Sequence, residues 1–381
     1  MQSNEGFVRA ARGQLAALFD EQRRAWRRAA SVPRVLEQAR RTRVGISPSE
    51  IVFRRGSATL FRYRRETPAR HKEPVFFCYA LINRPYILDL QPGKSVVQRY
   101  LEEGFDVYLL DWGTPSPEDS ALTLEDYVCR ILNDAVDFVL AMHRLEALHM
   151  LGYCMGGTLA ALFVAEHPTK VRTLTLLAAP IDFSDRNALL NLWTDRRHFD
   201  VDAFVAAFGN CPGWFLQGCF LSLRPVQNLM EKQVAFMERL DDPEFVENYF
   251  AMERWLNDNI PMAGETFRQF VKKLYQENQL VRGEFRLGDR RVDLGRIVCP
   301  VLLLTADNDH LVAPKSTEGI RAHLGSLDVQ ALTTRAGHVG LVVGGKAQTV
   351  LWPTATRWLA ERSTAHTPVP AERGVGAIDG A

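Results

Sequence analysis

The chain has 381 residues, of which 46% are hydrophobic and 10% aromatic, enough to bury one large core or two modest ones. A formal net charge of +1 excludes an overall electrostatic attraction to nucleic acid. No apolar run reaches the roughly 18 to 20 residues of a membrane-spanning helix, and the N-terminus has no hydrophobic signal core. We therefore expect a cytoplasmic protein that binds no nucleic acid and does not span a membrane.

The chain begins with an arginine-rich segment of helical character, residues 1–43. Its large apolar side chains are scattered among the arginines and include Leu18, Phe19 and Trp26. A basic helix with one large aromatic residue is either loosely docked and solvated, or contacts a partner or surface. Both interpretations remain open at this point.

Helices and strands alternate in the next part of the chain. Two short strands lead to "PVFFCYAL" (74–81), a continuous apolar run typical of a strand that is covered on both faces. Helical and strand patterns then follow one another as far as "VRTLTLLAAP" (171–180). This alternation predicts a mostly parallel α/β sheet flanked by helices.

The alternation stops at residues 181–293, which are helical or loop-like and rich in aromatic residues, and it resumes at "CPVLLLTAD" (299–307). An insertion between two strands of one sheet is best interpreted as a cap. We therefore predict an α/β core of residues 44–180 and 294–362 with a mainly helical cap or lid inserted at 181–293. The tail, residues 363–381, has few anchoring side chains and is predicted to be disordered.

A sharp strand-to-helix turn is predicted at "GYCMGG" (152–157), where Cys154 lies between two glycines. A nucleophile elbow holds its reactive residue in a strained conformation and requires very small residues two positions before and after it. The following helix directs its free N–H groups at the sulfur, so the backbone N–H of Met155 is a candidate oxyanion donor. We nominate the N–H of Leu81 as the second donor. A tight turn around an inert cysteine would carry the same motif.

An acid and a histidine follow this cysteine in the chain. "DNDHLVAP" (307–314) comes after one late strand, and "AGHVG" (336–340), which contains His338, comes after the next. Nucleophile, acid and histidine in this order are typical of the α/β-hydrolase fold. We predict Asp309 as the acid, Asp307 as a turn residue, and His310 as a histidine that packs within the loop.

The six cysteines form no C-x-x-C pair, so no zinc site is predicted, and five of them are expected to be small buried hydrophobic residues. No cofactor is predicted either.

Together the motifs "GYCMGGT", "ALINRPYILDLQPGKS", "YLLDWGTPSP", "LTLEDYV", "PGWFLQGCFLSLRP", "DHLVAP" and "AGHVG" resemble those of the catalytic subunit of polyhydroxyalkanoate synthases. The resemblance covers roughly residues 47–362 and is closest to the short-chain, two-subunit type often called class III. It implies that Cys154 carries the acyl group, that Asp309 is the acid and that His338 is the base. Met155 and Ala313 depart from the residues that are common in this type.

The resemblance implies an acyltransferase that polymerises 3-hydroxyacyl coenzyme A, for example 3-hydroxybutyryl coenzyme A, and releases coenzyme A. Coenzyme A thioester is then the substrate and not a cofactor. A second, non-catalytic synthase subunit, a homo-oligomer and association with cytoplasmic polyester granules are expected. A cysteine serves this chemistry because exchange of one thioester for another keeps the acyl group activated.

Two other functions remain open from the sequence. One is a cysteine hydrolase that is dienelactone hydrolase-like or thioesterase-like. Hydrolases that resemble dienelactone hydrolase also use a "GYC-x-GG" motif, although their chains are much shorter and lack the cap. A non-catalytic granule-binding scaffold is the alternative of a different class. The three triad residues in their proper loops argue against a scaffold.

Overall fold

The computed structural model describes residues 33–366 except 36, 187 and 224–229. Twelve strands occur in the described residues: β1 Ser49–Arg55, β2 Ala58–Tyr63, β3 Val75–Cys78, β4 Asp89–Gln91, β5 Lys94–Ser95, β6 Val107–Asp111, β7 Leu148–Tyr153, β8 Val171–Leu177, β9 Arg286–Leu287, β10 Arg290–Arg291, β11 Val301–Ala306 and β12 Val329–Thr334. Eight of these strands form the central sheet, and the others form two small hairpins.

The central sheet has the strand order β1-β2-β6-β3-β7-β8-β11-β12. All neighbours from β6 to β12 are parallel, whereas β1 and β2 form an antiparallel edge. Strands β3, β7 and β11 are buried along their whole length because helices cover both faces of the sheet. The loops that follow the parallel strands therefore meet at one edge of the sheet, where α/β folds place their sites. The predicted α/β-hydrolase fold with a mostly parallel sheet is confirmed.

Helices pack against the sheet on both sides. The helix Met155–Glu166 follows β7 directly and is buried from Met155 to Ala165 between the sheet and its neighbours, which explains why its sequence is apolar all round. Besides short 3₁₀ turns, the other helical segments described in the core are Val96–Glu102, Asp126–Leu132 running into Asn133–His143, Pro314–Glu318, Gly340–Val343, and Ala347–Leu351 running into Trp352–Ala360.

The insertion between β8 and β11 is mainly helical, and its aromatic side chains pack against one another. Phe204 is in ring contact with both Phe215 and Phe267, at centroid distances of 4.7 Å and 5.4 Å. The helices described in the insertion are Leu189–Trp193, Val201–Phe208, Gly213–Ser222, Lys232–Glu238, Pro243–Leu256 and Gly264–Gln269, the last continuing through Phe270–Gln276.

The last part of the insertion differs from the prediction of helices and loops. Strands β9 and β10 form a short hairpin whose Arg290 pairs with Glu166 at 3.0 Å. Glu166 ends the helix that follows the elbow, so this hairpin lies against the core and not over the site. Its arginine-rich sequence lacks the β-branched and aromatic residues that indicate strands, which is why it was not predicted.

The N-terminal segment is described only in part, because residues 1–32 and 36 of the predicted segment 1–43 lie outside the described residues. The rest is helical as far as residue 41. Val35 is 6% exposed and forms an apolar cluster with Leu240 and Val246, separate from the main core. The end of the N-terminal segment therefore docks on the cap.

The predicted disordered tail requires a correction at its start. Residues 367–381 lie outside the described residues, but residues 363–366 are held in place. The backbone N–H and the hydroxyl of Thr364 donate to the carboxylate of the buried Glu73, at 2.8 Å and 2.7 Å. The Ser363 hydroxyl lies 2.9 Å from Nε2 of the buried His149. The prediction of disorder rests on the composition of the tail. Composition does not show that Glu73 and His149 in the core form hydrogen bonds with the first residues of the tail.

In the described part of the chain, no helix combines the length and apolar character that crossing a bilayer requires. Over the same residues, no three histidine, cysteine or acidic side chains gather into a group that could bind a metal ion.

Candidate active site

Cys154 occupies the turn between β7 and the helix Met155–Glu166 in a strained backbone conformation, with φ of 54° and ψ of −130°. A positive φ is rare for any residue with a side chain and marks a position that its surroundings enforce. The backbone N–H of Cys154 donates to the carbonyl of Leu177 at 2.9 Å, which ties the turn to β8. The cysteine is 8% exposed. The structure thus places Cys154 on a nucleophile elbow.

The glycines around Cys154 are required by close backbone packing. A Cβ atom at Gly156 would lie 2.3 Å from the carbonyl oxygen of Cys78, and one at Gly157 would lie 2.3 Å from Cβ of Ala179. At Gly152 the nearest atom would be Cα of Gly157, at 2.5 Å. No side chain fits at any of these positions without moving the backbone.

Asp309 and His338 come together although they follow different strands. Oδ2 of Asp309 lies 2.7 Å from Nδ1 of His338. Oδ1 accepts hydrogen bonds from the backbone N–H groups of Leu311 and Val312, at 2.9 Å and 2.8 Å. The Asp309 side chain is fully buried, whereas Asp307 is exposed. The structure thus places Asp309, and not Asp307, against the histidine.

His338 lies between the carboxylate and the sulfur. Burial lowers its pKa, but the negative charges of Asp309 and Cys154, and the hydrogen bonds to both side chains, outweigh burial and raise the pKa to about 10. Because Nδ1 faces Asp309, Nε2 is left for the sulfur of Cys154. The Tyr153 ring stacks on the imidazole with a centroid distance of 5.1 Å. When Cys154 carries a negative charge, His338 is therefore a positively charged imidazolium at neutral pH.

The predicted oxyanion donors lie beside this arrangement. Met155 is the first residue of the helix after the elbow, where backbone N–H groups have no intrahelical acceptor. The loop after β3 packs on the elbow, because a Cβ atom at Gly156 would also lie 2.5 Å from the carbonyl carbon of Tyr79. Leu81 is buried in this loop, and its neighbour Ile82 lines the space around Cys154. The roles of Met155 and Leu81 as oxyanion donors stay predictions.

Two cavities meet at Cys154. The smaller, of about 130 Å³, has an almost entirely apolar wall under the cap, which includes Phe199, Phe215 and Phe267. The larger, of about 370 Å³, lies on the side of His338 and carries polar side chains such as Lys232. Cys154 therefore faces both an apolar and a more polar space.

The larger cavity also contains His310, and its packing within the loop stays a prediction. His310 is exposed and lines the cavity together with His338 and Asn308. The direction of a side chain in an irregular loop depends on the loop's curvature, which the sequence pattern does not indicate.

Comparisons with known proteins agree with this architecture. Residues 73–341 match the model of the alpha/beta hydrolase fold, and residues 40–101 match the model of the N-terminus of poly-beta-hydroxybutyrate polymerase (PhaC). A candidate lipase from Sulfolobus solfataricus superposes with a TM-score of 0.53 over 83% of this chain and 99% of its own. At 13% identity this similarity shows the fold alone.

Relatives with higher identity extend over nearly the whole chain. The poly(3-hydroxyalkanoate) polymerase subunit PhaC of Haloferax mediterranei is 41% identical over 356 residues, which cover 92% of this chain and 72% of the relative. The subunit of the same name from Allochromatium vinosum is 40% identical over 320 residues, covering 84% of this chain and 90% of the relative. The chain therefore belongs to the poly(3-hydroxyalkanoate) polymerase subunit PhaC family, whose members are acyltransferases, and it carries the α/β-hydrolase fold.

Proposed function

We propose that this polymerase acts on short-chain 3-hydroxyacyl coenzyme A, such as 3-hydroxybutyryl coenzyme A, and holds the acyl group on Cys154 as a thioester. The observation that carries the proposal is the position of Cys154. It lies on a strained elbow next to a histidine that is itself bonded to a buried carboxylate. A thiol, a base and an acid that orients the base are the parts that acyl transfer through a covalent intermediate requires.

The first half-reaction is thioester exchange. The Cys154 thiolate attacks the acyl carbonyl, the carbon–sulfur bond to coenzyme A breaks, and the imidazolium of His338 gives its proton to the departing thiolate. The products are acyl-Cys154, coenzyme A thiol and neutral His338. Acylation also removes the charge on Cys154, one of the causes that raise the pKa of His338. The histidine, which has given up its proton, is then able to act as the base of the next step.

The second half-reaction forms the ester. A 3-hydroxyl group of a chain or monomer attacks the acyl-Cys154 carbonyl, and His338 takes its proton. The carbon–sulfur bond to Cys154 breaks, the acyl group joins the polyester, and the thiolate–imidazolium pair is restored. Asp309 holds Nδ1 of His338 throughout, which keeps Nε2 directed at the reacting atoms.

Water competes with the hydroxyl group in the second half-reaction. The apolar cavity around Cys154 is walled by aromatic side chains of the cap, and such a wall disfavours water. We propose that the cap, residues 181–293, excludes water from Cys154. This exclusion allows a hydrolase fold to catalyse polymerisation and not hydrolysis.

A second, non-catalytic subunit, a homo-oligomer and attachment to the surface of cytoplasmic polyester granules are further parts of the proposal. The names of the Haloferax mediterranei and Allochromatium vinosum relatives support a further subunit, because both are called a polymerase subunit. The basic N-terminal segment and the cap surface are the candidate contact regions.

Replacement of the nucleophile tests the function. With 3-hydroxybutyryl coenzyme A, we expect wild-type protein to release thiol and to develop turbidity, and Cys154→Ala to do neither. Cys129→Ala is the control, because Cys129 lines neither cavity at Cys154 and contacts Arg290. Full activity of Cys154→Ala would overturn the mechanism. Release of free acid without turbidity would indicate a hydrolase, and the absence of thiol release by wild type would indicate a scaffold.

A further inference from the structure

The apolar cavity beside Cys154 contains a polar group that has no hydrogen-bond partner among the residues that the structure describes. Tyr275 lines this cavity, and its ring is held by Phe183 and Phe270 at centroid distances of 4.7 Å and 6.0 Å. Within the described residues, the hydroxyl of Tyr275 makes no hydrogen bond. The nearby Thr194, in contrast, donates its hydroxyl to the carbonyl of Leu190 at 2.7 Å.

The hydroxyl of Tyr275 is close enough to the nucleophile to be affected by its charge. Burial is the main cause that raises the pKa of Tyr275, and the charge of Cys154 raises it further. Tyr275 is therefore a neutral phenol during the reaction and is able to donate a hydrogen bond.

A phenol in an apolar wall usually finds a hydrogen-bond partner, and the half-buried Tyr275 has none among the described residues. The cavity of about 130 Å³ is large enough for a small organic group, since an engineered apolar cavity of roughly 150 Å³ binds benzene. An acyl group on Cys154 has its 3-hydroxyl two carbons from the thioester carbonyl, so it can bring one polar atom into this space.

We propose that the Tyr275 hydroxyl donates a hydrogen bond to the 3-oxygen of the acyl group on Cys154 and so selects hydroxylated acyl groups. The inference rests on the proposed function. The alkyl substituent at C3 then contacts the phenylalanine side chains of the cavity. Tyr275 touches the substrate two carbons from the reacting carbonyl and determines specificity.

The test compares a substrate with its deoxy analogue. The second-order rate constant for release of the first equivalent of coenzyme A is measured with 3-hydroxybutyryl coenzyme A and with butyryl coenzyme A. For Tyr275→Phe we expect the constant for the hydroxylated substrate to fall about tenfold, as the loss of one hydrogen bond predicts. The constant for butyryl coenzyme A should stay within about twofold of wild type, because the ring and its packing remain.

Trp193→Phe is the matched comparison. The Trp193 indole N–H is another donor in the wall of this cavity without a partner in the described part of the chain. This variant should leave the ratio of the two constants unchanged. The assignment would be overturned if Tyr275→Phe lost rate equally with both substrates or with neither. It would also be overturned if Trp193→Phe, and not Tyr275→Phe, lowered the ratio of the constant for 3-hydroxybutyryl coenzyme A to that for butyryl coenzyme A. Wild-type protein that releases no coenzyme A would overturn the proposed function itself.

Discussion

The two carboxylate oxygens of Asp309 have different partners, a histidine and the backbone of its own loop. One oxygen faces Nδ1 of His338, and the other accepts from two backbone N–H groups that follow it in the chain. The loop therefore fixes the carboxylate, and the carboxylate fixes the imidazole. The neighbouring Asp307 is exposed.

Asp309→Asn should reduce steady-state turnover by roughly 10³-fold to 10⁴-fold, the scale seen when a triad acid becomes an amide. A slow first acylation should remain, because the elbow and Cys154 are unchanged. Loss of the Asp309 charge also lowers the pKa of His338 from about 10. The imidazolium that protonates the leaving thiolate is then lost at lower pH, so the alkaline limb of the acylation profile should move to lower pH.

Asp307→Asn is the control, with expected turnover within about threefold of wild type, since surface substitutions are mostly mild. Single-turnover acylation and steady-state thiol release, each followed from pH 6 to 10.5, provide the measurements. An unshifted alkaline limb in Asp309→Asn, or a stronger effect of Asp307→Asn, would contradict the assignment of the acid.

Residues whose roles follow from a local motif could be predicted from the sequence. The positions of Cys154 and of Asp309 and His338 follow from a short motif and from chain order, and the structure places them together. Tyr275 gave no such signal, because an aromatic residue in a helix of the cap has the same pattern whether it packs or binds. The side-chain direction of His310 could not be predicted, because it depends on a loop conformation.

The turn from β7 into the helix Met155–Glu166 depends on small residues. Gly156 faces the backbone of the loop after β3 so closely that a methyl group would displace either the elbow or the proposed oxyanion donors. Gly218, in the cap helix Gly213–Ser222, has no atom within 4 Å of the position of a Cβ. Substitution of Gly156 and of Gly218 by alanine therefore adds the same methyl group with and without a clash.

We expect Gly156→Ala to abolish thiol release and to lower the midpoint of thermal unfolding, because the clash involves backbone atoms that cannot rotate away. Gly218→Ala should retain activity and raise the midpoint slightly, since alanine favours a helix by about 1 kcal/mol over glycine. Thiol release and thermal unfolding of both variants are the measurements. An active Gly156→Ala variant would show that the elbow tolerates a wider turn.

Elements with strong periodicity were predicted well, and the exceptions have physical reasons. The apolar runs that became β3, β7 and β11 are buried on both faces, so their composition alone indicates parallel strands. The hairpin of β9 and β10 has no such signal, because only one of its four residues, Leu287, is buried.

The N-terminal segment and the active site are connected through the cap. Val35 is buried against Leu240 and Val246, and Arg34 donates to the carbonyl of Leu240 at 3.3 Å. The cap helices beside this contact also contribute Lys232 and Trp255 to the wall of the larger cavity. The sequence could not predict this docking, because one valine among arginines gives no sign of a partner about two hundred residues away.

Removal of the N-terminal segment tests this connection. Deletion of residues 1–43 uncovers the contact at Leu240 and Val246, so the cap helices that wall the larger cavity should loosen and admit water. Acylation of Cys154 should persist, because the triad is built on loops of the core. We expect the truncated protein to release more free 3-hydroxybutyrate per coenzyme A than wild type, and to unfold at a lower temperature.

Deletion of residues 1–32 alone is the matched control, because it leaves the docked residues 33–43 in place. This shorter deletion should keep the wild-type ratio of free acid to coenzyme A, measured by chromatography of the products. If both truncations hydrolyse as little as wild type, the cap excludes water without the N-terminal contact, and residues 33–43 serve assembly alone. If both hydrolyse more, residues 1–32 take part in closing the cavity as well.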